Sequence, residues 1–579
     1  MSAEDFPPAT LRDYALIADG ERGALCGPHG DMVWMCAPRW HDDAVFSRLI
    51  GGPGVYAVTP QDRYVWGGHY EQGLIWRNRW VTDTGSIIEC RDALAMPADP
   101  HRPVVLRRIE ALQGVARMRV VLDARGGFGT HPMRELCHAQ DGTWTAVSGP
   151  LHLRWTGAAD ATVDEAGRLG QELMLDAGAA HDLILEISDQ PLGAAVNARQ
   201  AWRSTVRTWR ADIPALDRTV AIRDARHAYT VMRGLTSVTG GMVAAATMSL
   251  PERAGTDRNY DYRYVWIRDQ CYAGLAVAAD GPHPLLRNAV GFVSDRLLAD
   301  GDRLKPAYLL TGGAVPAEQP LDLPGYPGGT DLRGNHVRDQ FQLDTFGESL
   351  QLFAAAAQHD MLDADGWRAA RLAVTVVERH WNEPDAGIWE LDNQWWAHSR
   401  LSCVVGLRRL AAVVPRTEAG RMRQLAEVIY SEAGRRCGQH GYWQRNAVDK
   451  RVDAALLLPP VRDDAGQLDK RDVGTLDRIR RDLVDDGYAY RYLPDDRPLG
   501  EAEGAFLLCG FALALAEARQ GNCVEAFRWF ERNRAACGPP RLLAEEFDVE
   551  QRQLRGNLPQ AFVHALLLES ATRLAAMSR

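Results

Sequence analysis

No run of about 18 consecutive apolar residues occurs in this chain, so no membrane-spanning helix is expected. There is no surplus of basic charge either. Sixty-six Lys and Arg stand against 76 Asp and Glu, a formal charge of −10. That removes the electrostatic footprint of a nucleic-acid binder. Cysteine is sparse: ten thiols in 579 residues, each alone, with no Cys-x-x-Cys pair and no His/Cys cluster. Neither a zinc site nor a disulfide framework is expected, and no metal or organic cofactor is called for. Reduced, mostly buried thiols in a cytoplasmic protein are the expectation instead. The opening Met1–Pro8 has no basic region and no apolar stretch of the kind a secretion signal needs. No residue signature repeats at a fixed period, which disfavours a helical solenoid. What is present is length enough for two or three domains. Apolar (46%) and charged (25%) contents are ordinary, and tryptophans number 17.

The two halves follow different periodicities. Residues 1–195 carry short runs of period two between turn signals: 55–59, 73–81, 86–91, 104–110, 118–122, 151–155 and 182–187. These predict an antiparallel β-sandwich. Residues 196–216 predict a linking helix, stopped near Pro214. From 217 to 579 the period becomes helical, as in Phe346, Leu350, Phe353, Ala354 and Ala357 on one face. Roughly twelve helices without clear strand runs predict an all-α toroid of paired helices. Its pocket is expected among loops at one end.

The segment Asn259–Asp269 places Tyr260, Tyr262, Tyr264 and Trp266 among fixed charges. A pyranose offers an apolar C–H face, which Trp266 can cover, and a rim of hydroxyls for Arg268 and Asp269. A tyrosine-rich packing segment at a helix start fits the same residues. Cleaving a glycosidic bond needs two carboxyl groups in different environments. Glu390 is the first candidate, with Trp389 beside it to lower the local dielectric and raise its proton affinity. Glu545 and Glu546 follow, adjacent acids near Asp548, of which one can face a pocket while the other takes a supporting bond. A helix N-terminus would also favour such acids. Glu501 and Glu503 read as first-turn acids of the next helix, and Asp344 as an inward polar anchor or an N-terminal helix acid.

Taken in order, these segments resemble glycoside hydrolase family 15, the glucoamylase, glucodextranase and bacterial trehalase-type family. The resemblance runs through Asp13–Gly20, Gly30–Arg39, Asn259–Asp269, Gln342–Glu348, Gly387–Glu390 with His398–Arg400, Glu503–Leu508, Leu542–Glu546 and Gly556–Phe562. It implies a β-sandwich followed by an (α/α)6 barrel and inverting, exo-acting hydrolysis of a small α-glucoside. By carry-over it makes Glu390 the general acid and Glu545 the general base. Tyr262 would lie near the attacking water, and Arg491 would contact sugar. Trp266, Arg268, Asp269, Trp389 and Glu546 complete the expected substrate shell. The chain departs from the family's usual wording at Trp40-His41, at Lys305–Gly313 and at Arg400. A non-catalytic sugar-binding protein and an α/α-barrel disaccharide phosphorylase are the alternative readings. Self-association is left open.

Overall fold

The computed structural model describes residues 6–253, 255, 258–463, 468–494 and 497–577. Met1–Asp5, part of the segment read for a secretion signal, lies outside the described residues.

The amino-terminal part is two antiparallel sheets of eight strands each. One runs in the order Ala15–Ala18, Gly23–Cys26, Asp31–Cys36, Val55–Pro60, Ala116–Asp123, Leu169–Leu175, Thr162–Val163, with Ala44–Phe46 beside Asp31–Cys36. The other runs Arg134–His138, Trp144–Ser148, Leu151–Thr156, Ala180–Ser188, Val104–Gln113, Ile87–Leu94, Trp76–Thr82, Tyr64–Tyr70. Side chains from both sheets, including Ile17, Met35, Tyr56, Trp80, Val105 and Leu185, form the core between them.

The first three strands of the first sheet are buried on both faces. Ala15, Ile17, Ala24 and Cys26 point into the sandwich. Leu16, Ala18, Leu25 and Trp34 point the other way, into a second core shared with the helical part. Continuous apolar strands are what two covered faces require.

Helix α1 (Ala198–Asp212) links the two parts; Asn197 caps it by accepting from Gln200 N at 3.0 Å. Twelve more helices follow among the described residues: α2 (Ile222–Leu235), α3 (Ile267–Ala278), α4 (Pro284–Asp300), α5 (Asp344–Gln358), α6 (Ala364–His380), α7 (Ala397–Ala411), α8 (Arg416–Cys437), α9 (Leu458–Arg462), α10 (Lys470–Asp482), α11 (Leu507–Arg519), α12 (Cys523–Arg534) and α13 (Ala561–Met577). They form an (α/α)6 barrel. Within the inner ring α3 packs on α5, α5 on α7, α7 on α9, α9 on α11 and α11 on α13. Helix α13 returns to α3 and closes the ring. Burial explains the sorting. Helix α11 is buried from Leu507 through Ala518, whereas outer helix α12 buries only Ala526, Phe530 and Asn533. A helix apolar all round goes inside, and one with a single stripe goes outside. The fourth inner position is held by α9 alone, five residues preceded by a short 3-10 turn, Ala454–Leu457.

Two expectations need correction. Residues 500–506 are not helical; the helix starts at Leu507, so Glu501 and Glu503 are not first-turn acids. Glu545 and Glu546 do not open a helix either. Glu546–Asp548 is a strand pairing with Ala505–Phe506 and Gln553–Arg555, one of several very short ribbons in the helical half.

Candidate active site

The loops that precede the inner helices gather at one end of the barrel, where the helix N-termini converge. A cavity of about 800 Å³, counting its open mouth, lies among them. Tyr262, Trp266 and Arg268 border it from the start of α3, Glu390 from the loop before α7, Arg491 from the loop before α11, and Glu545 from the loop before α13. Tyr260 stacks parallel on Tyr262 with ring centres 6.0 Å apart, giving an aromatic wall.

Glu390 sits in a tight turn. Its own φ is +59° and that of Gly387 is +68°. A Cβ at Gly387 would stand 2.7 Å from Trp396 Cδ1, so that position requires glycine. The left-handed conformation of Glu390 is costly for a side-chain-bearing residue and is held by its surroundings. Asp385 accepts hydrogen bonds from Gly387 N (3.0 Å), Leu343 N (3.2 Å) and Ser399 Oγ (2.8 Å) and pairs with Arg400, both side chains wholly buried. The Arg268 guanidinium donates to Ile388 O at 2.6 Å. Trp266 Nε1 donates to Glu390 Oε1 at 2.7 Å, and Arg268 Nη1 lies 3.6 Å from the same oxygen. Oε2 of Glu390 has no hydrogen-bond partner among the described residues.

The indole that reaches Glu390 is therefore Trp266. Trp389 borders the same cavity but turns its N–H to Asp453 Oδ1 at 2.8 Å, and the Arg491 guanidinium lies over its ring.

Glu545 is 6% exposed, and its Oε2 accepts no hydrogen bond. Burial, then the neighbouring Glu252 carboxylate, push its proton affinity up to about 8, against the pull of Arg491, the Tyr262 hydroxyl and Arg268. The Tyr262 phenol is driven well above its ordinary range by burial and by Glu545, which keeps it a hydrogen-bond donor.

Asp269 and Glu546 lie behind the lining. Asp269 is wholly buried, pushed up to about 6 by burial, and receives Arg268 Nε at 3.3 Å. Glu546 accepts Gly504 N at 2.7 Å and is raised well above the usual carboxylate range by burial and by Glu252. Asp344 opens α5, buried, with both oxygens unpartnered and pushed up to about 7 by burial and by Asp385. Glu503 grips Arg491.

Sequence reasoning missed Glu252, Arg258 and His336, which also border the cavity. Glu252 lies seven positions before Asn259 (259 − 252) in a Pro-flanked loop, and nothing in its spacing marks it.

The family model for glycosyl hydrolases family 15 matches residues 226–572, and one for the trehalase-like N-terminal region matches residues 7–190. The chain belongs to glycosyl hydrolase family 15. It is a glycoside hydrolase. Among its relatives is trehalase 1 of Sulfolobus acidocaldarius, 30% identical over 96% of this chain and 98% of that one. Another is the trehalase of Mycobacterium tuberculosis, 29% identical over 98% of this chain and 89% of the other. A bacterial glucoamylase crystallised with acarbose shares the fold, with a TM-score of 0.70 at 12% identity over 99% of this chain and 96% of its own. No helix among the described residues is long and apolar enough to cross a membrane.

Proposed function

We propose that this family 15 enzyme is an inverting, exo-acting α-glucosidase that releases β-glucose from the non-reducing end of a small α-glucoside, with trehalose the first substrate. Support for trehalose comes from relatives named trehalases that align along nearly the whole chain. The observation that carries the reaction type is the meeting of Glu390 and Glu545, from loops before different inner helices, on one cavity walled by Trp266 and Tyr262.

Glu390 would be the general acid. With Oε1 held by the Trp266 N–H, Oε2 is the oxygen available to carry a proton to the glycosidic oxygen as the bond breaks. Glu545 would be the general base. Its free Oε2 takes a proton from water while the water oxygen bonds the anomeric carbon. Tyr262, donor beside Glu545, would orient that water. Arg268 and Arg491 would grip sugar hydroxyls from the wall. Asp269 and Glu546 would act from behind it, Asp269 by fixing Arg268 and Glu546 by tying the base loop to Gly504 N. Residence in the cytoplasm and the division at residues 195 and 217 belong to the same reading.

The test is incubation with trehalose, maltose, isomaltose and dextran while NMR follows the anomer of the released glucose. From trehalose one β-glucose, from the attacked residue, and one α-glucose, from the leaving residue, are expected per turnover; two α-glucose per turnover, or glucose 1-phosphate, would overturn the mechanism. Glu390→Gln and Glu545→Gln should each lose about 10²-fold or more in kcat. Near-normal turnover in either removes that residue from its role.

A further inference from the structure

Three carboxylates border the cavity: Glu390, Glu545 and Glu252. Glu252 is 3% exposed and heads a ladder of alternating charges. Its Oε2 accepts Arg258 Nε at 2.8 Å. Arg258 Nη2 lies 3.3 Å from Glu503 Oε2, and Glu503 takes Arg491 Nε at 3.2 Å together with Arg491 Nη2. Acid, base, acid and base are thus stacked along one side of the pocket.

The ladder approaches the catalytic machinery at Gly556, whose φ is +75°. A Cβ there would stand 3.8 Å from Glu252 Cγ, 3.7 Å from Glu545 Cβ and 3.9 Å from Glu545 Oε2. Both acids therefore converge on the same glycine, in a buried place. Their partners differ: Glu252 is tied to a guanidinium, whereas Glu545 Oε2 has no donor. Two like charges in a water-poor site raise each other's cost of ionisation. The member paired with a cation has a counter-charge in contact, and the unpaired member becomes the better proton acceptor.

We infer that Glu252 is a positioning residue for hydrolysis, acting through Glu545: its carboxylate, held by Arg258, makes Glu545 a stronger base, and the ladder to Arg491 sets how strong. This inference rests on the function proposed above. Glu252 exchanges no proton in the reaction. The water proton goes to Glu545, the water oxygen bonds the anomeric carbon, and the departing oxygen keeps the bonding pair and takes the Glu390 proton. The groups facing Glu545 are Glu252 and Glu546 on the negative side, Arg491 and Arg268 on the positive, and the Tyr262 hydroxyl. Burial is the largest cause of its raised proton affinity and Glu252 the next.

The experiment is kcat against pH on trehalose for the full-length wild type, Glu252→Gln, Glu252→Asp and Arg258→Gln, with circular dichroism on each. The acidic limb reports the base in the enzyme–substrate complex. Glu252→Gln should move that limb down by about one pH unit or more, with a lower plateau. Arg258→Gln should move it up, and Glu252→Asp should restore it toward the wild type. A purely structural Glu252 would lower the plateau without moving the limb. Folded, active variants whose limbs coincide with the wild type overturn the inference and leave the proposed function standing. A loss of 10²-fold or more in Glu252→Gln, with no shift, would also overturn it by making Glu252 the base itself. If Glu252→Gln does not fold, Arg258→Gln alone decides. Wild type that hydrolyses no α-glucoside fails earlier, at the function on which this depends.

Discussion

Replacing Asp385 by Asn tests how the turn bearing Glu390 is held. Asp385 and Arg400 are both fully buried and paired, and the same carboxylate accepts Leu343 N, Gly387 N and Ser399 Oγ. It thus joins the start of α5, the Glu390 turn and the first turn of α7. Asn keeps one acceptor but presents an NH2 where donors already point, and it leaves the Arg400 charge without a counter-ion. Breaking a buried pair from one side costs about 3–5 kcal/mol. For a unit the size of the barrel that is about 4–7 °C in melting temperature. Glu390 would also lose its register, and a misplacement of about 1 Å costs about 10²-fold in rate. Differential scanning fluorimetry and kcat on trehalose read the two effects. The double variant Asp385→Asn, Arg400→Met removes the stranded charge, so it should melt above the single variant. A melting temperature within about 1 °C of wild type in Asp385→Asn, or a double variant weakened by the full sum of both singles, would refute the reasoning.

Other outcomes follow from the same geometry. Trp266→Phe deletes the N–H on Glu390 Oε1, a charge-assisted bond worth about 1.5–3 kcal/mol, so kcat should fall about tenfold or more with KM little changed; unchanged kcat would refute it. Glu348 is raised from 4.5 to about 8 by burial and then by Asp344, so its stabilising contribution is full below pH 4.5 and lost as pH rises through 8. Glu348→Gln keeps the acceptor for the Tyr272 hydroxyl at 2.9 Å and should raise the melting temperature at pH 9 but not at pH 4.5. His227 has the opposite sign: burial lowers it from 6.5 to about 3, so stability present above pH 6.5 drains away as pH falls toward 3. Melting curves from pH 7 to 4 should show a shallower decline in His227→Gln than in the wild type.

How much was legible depended on where the burial pattern left a mark. Strands such as Trp76–Thr82 and Leu151–Thr156 alternate because one face meets the sandwich core and the other does not. Ala15–Ala18, Gly23–Cys26 and Asp31–Cys36 carry no alternation, since both faces are covered, and periodicity passed them over. Helix α10 buries only Thr475, Leu476 and Ile479 beneath a charged surface, too narrow a stripe to read. Helix α9 is five residues with two prolines. In the site, Glu390, Glu545 and the Trp266–Asp269 run stood out through local aromatic and acidic density. Glu252 and Arg258 did not, because their meaning lies in partners far along the chain, at Glu503, Arg491 and Glu545. What adjacency could not give was the direction of the Trp389 indole: it borders the cavity beside Glu390, as its position in the chain implies, while its N–H goes to Asp453.

One contact ties the history of the two halves together. Arg263, within the aromatic segment that walls the pocket, is fully buried. It reaches across to donate to Asp42 O at 2.7 Å and to Trp40 O at 3.4 Å, while pairing with Asp261 at 2.8 Å. Trp34 Nε1 crosses the same seam to Ala246 O at 2.8 Å. A chimera that grafted this barrel onto a foreign sandwich would strip a buried guanidinium of two of its acceptors just beneath the tyrosines that border the cavity. The seam, rather than the linking helix, is where such a graft must be matched, and lineages that exchanged one half would have had to carry residues 34–42 along with it.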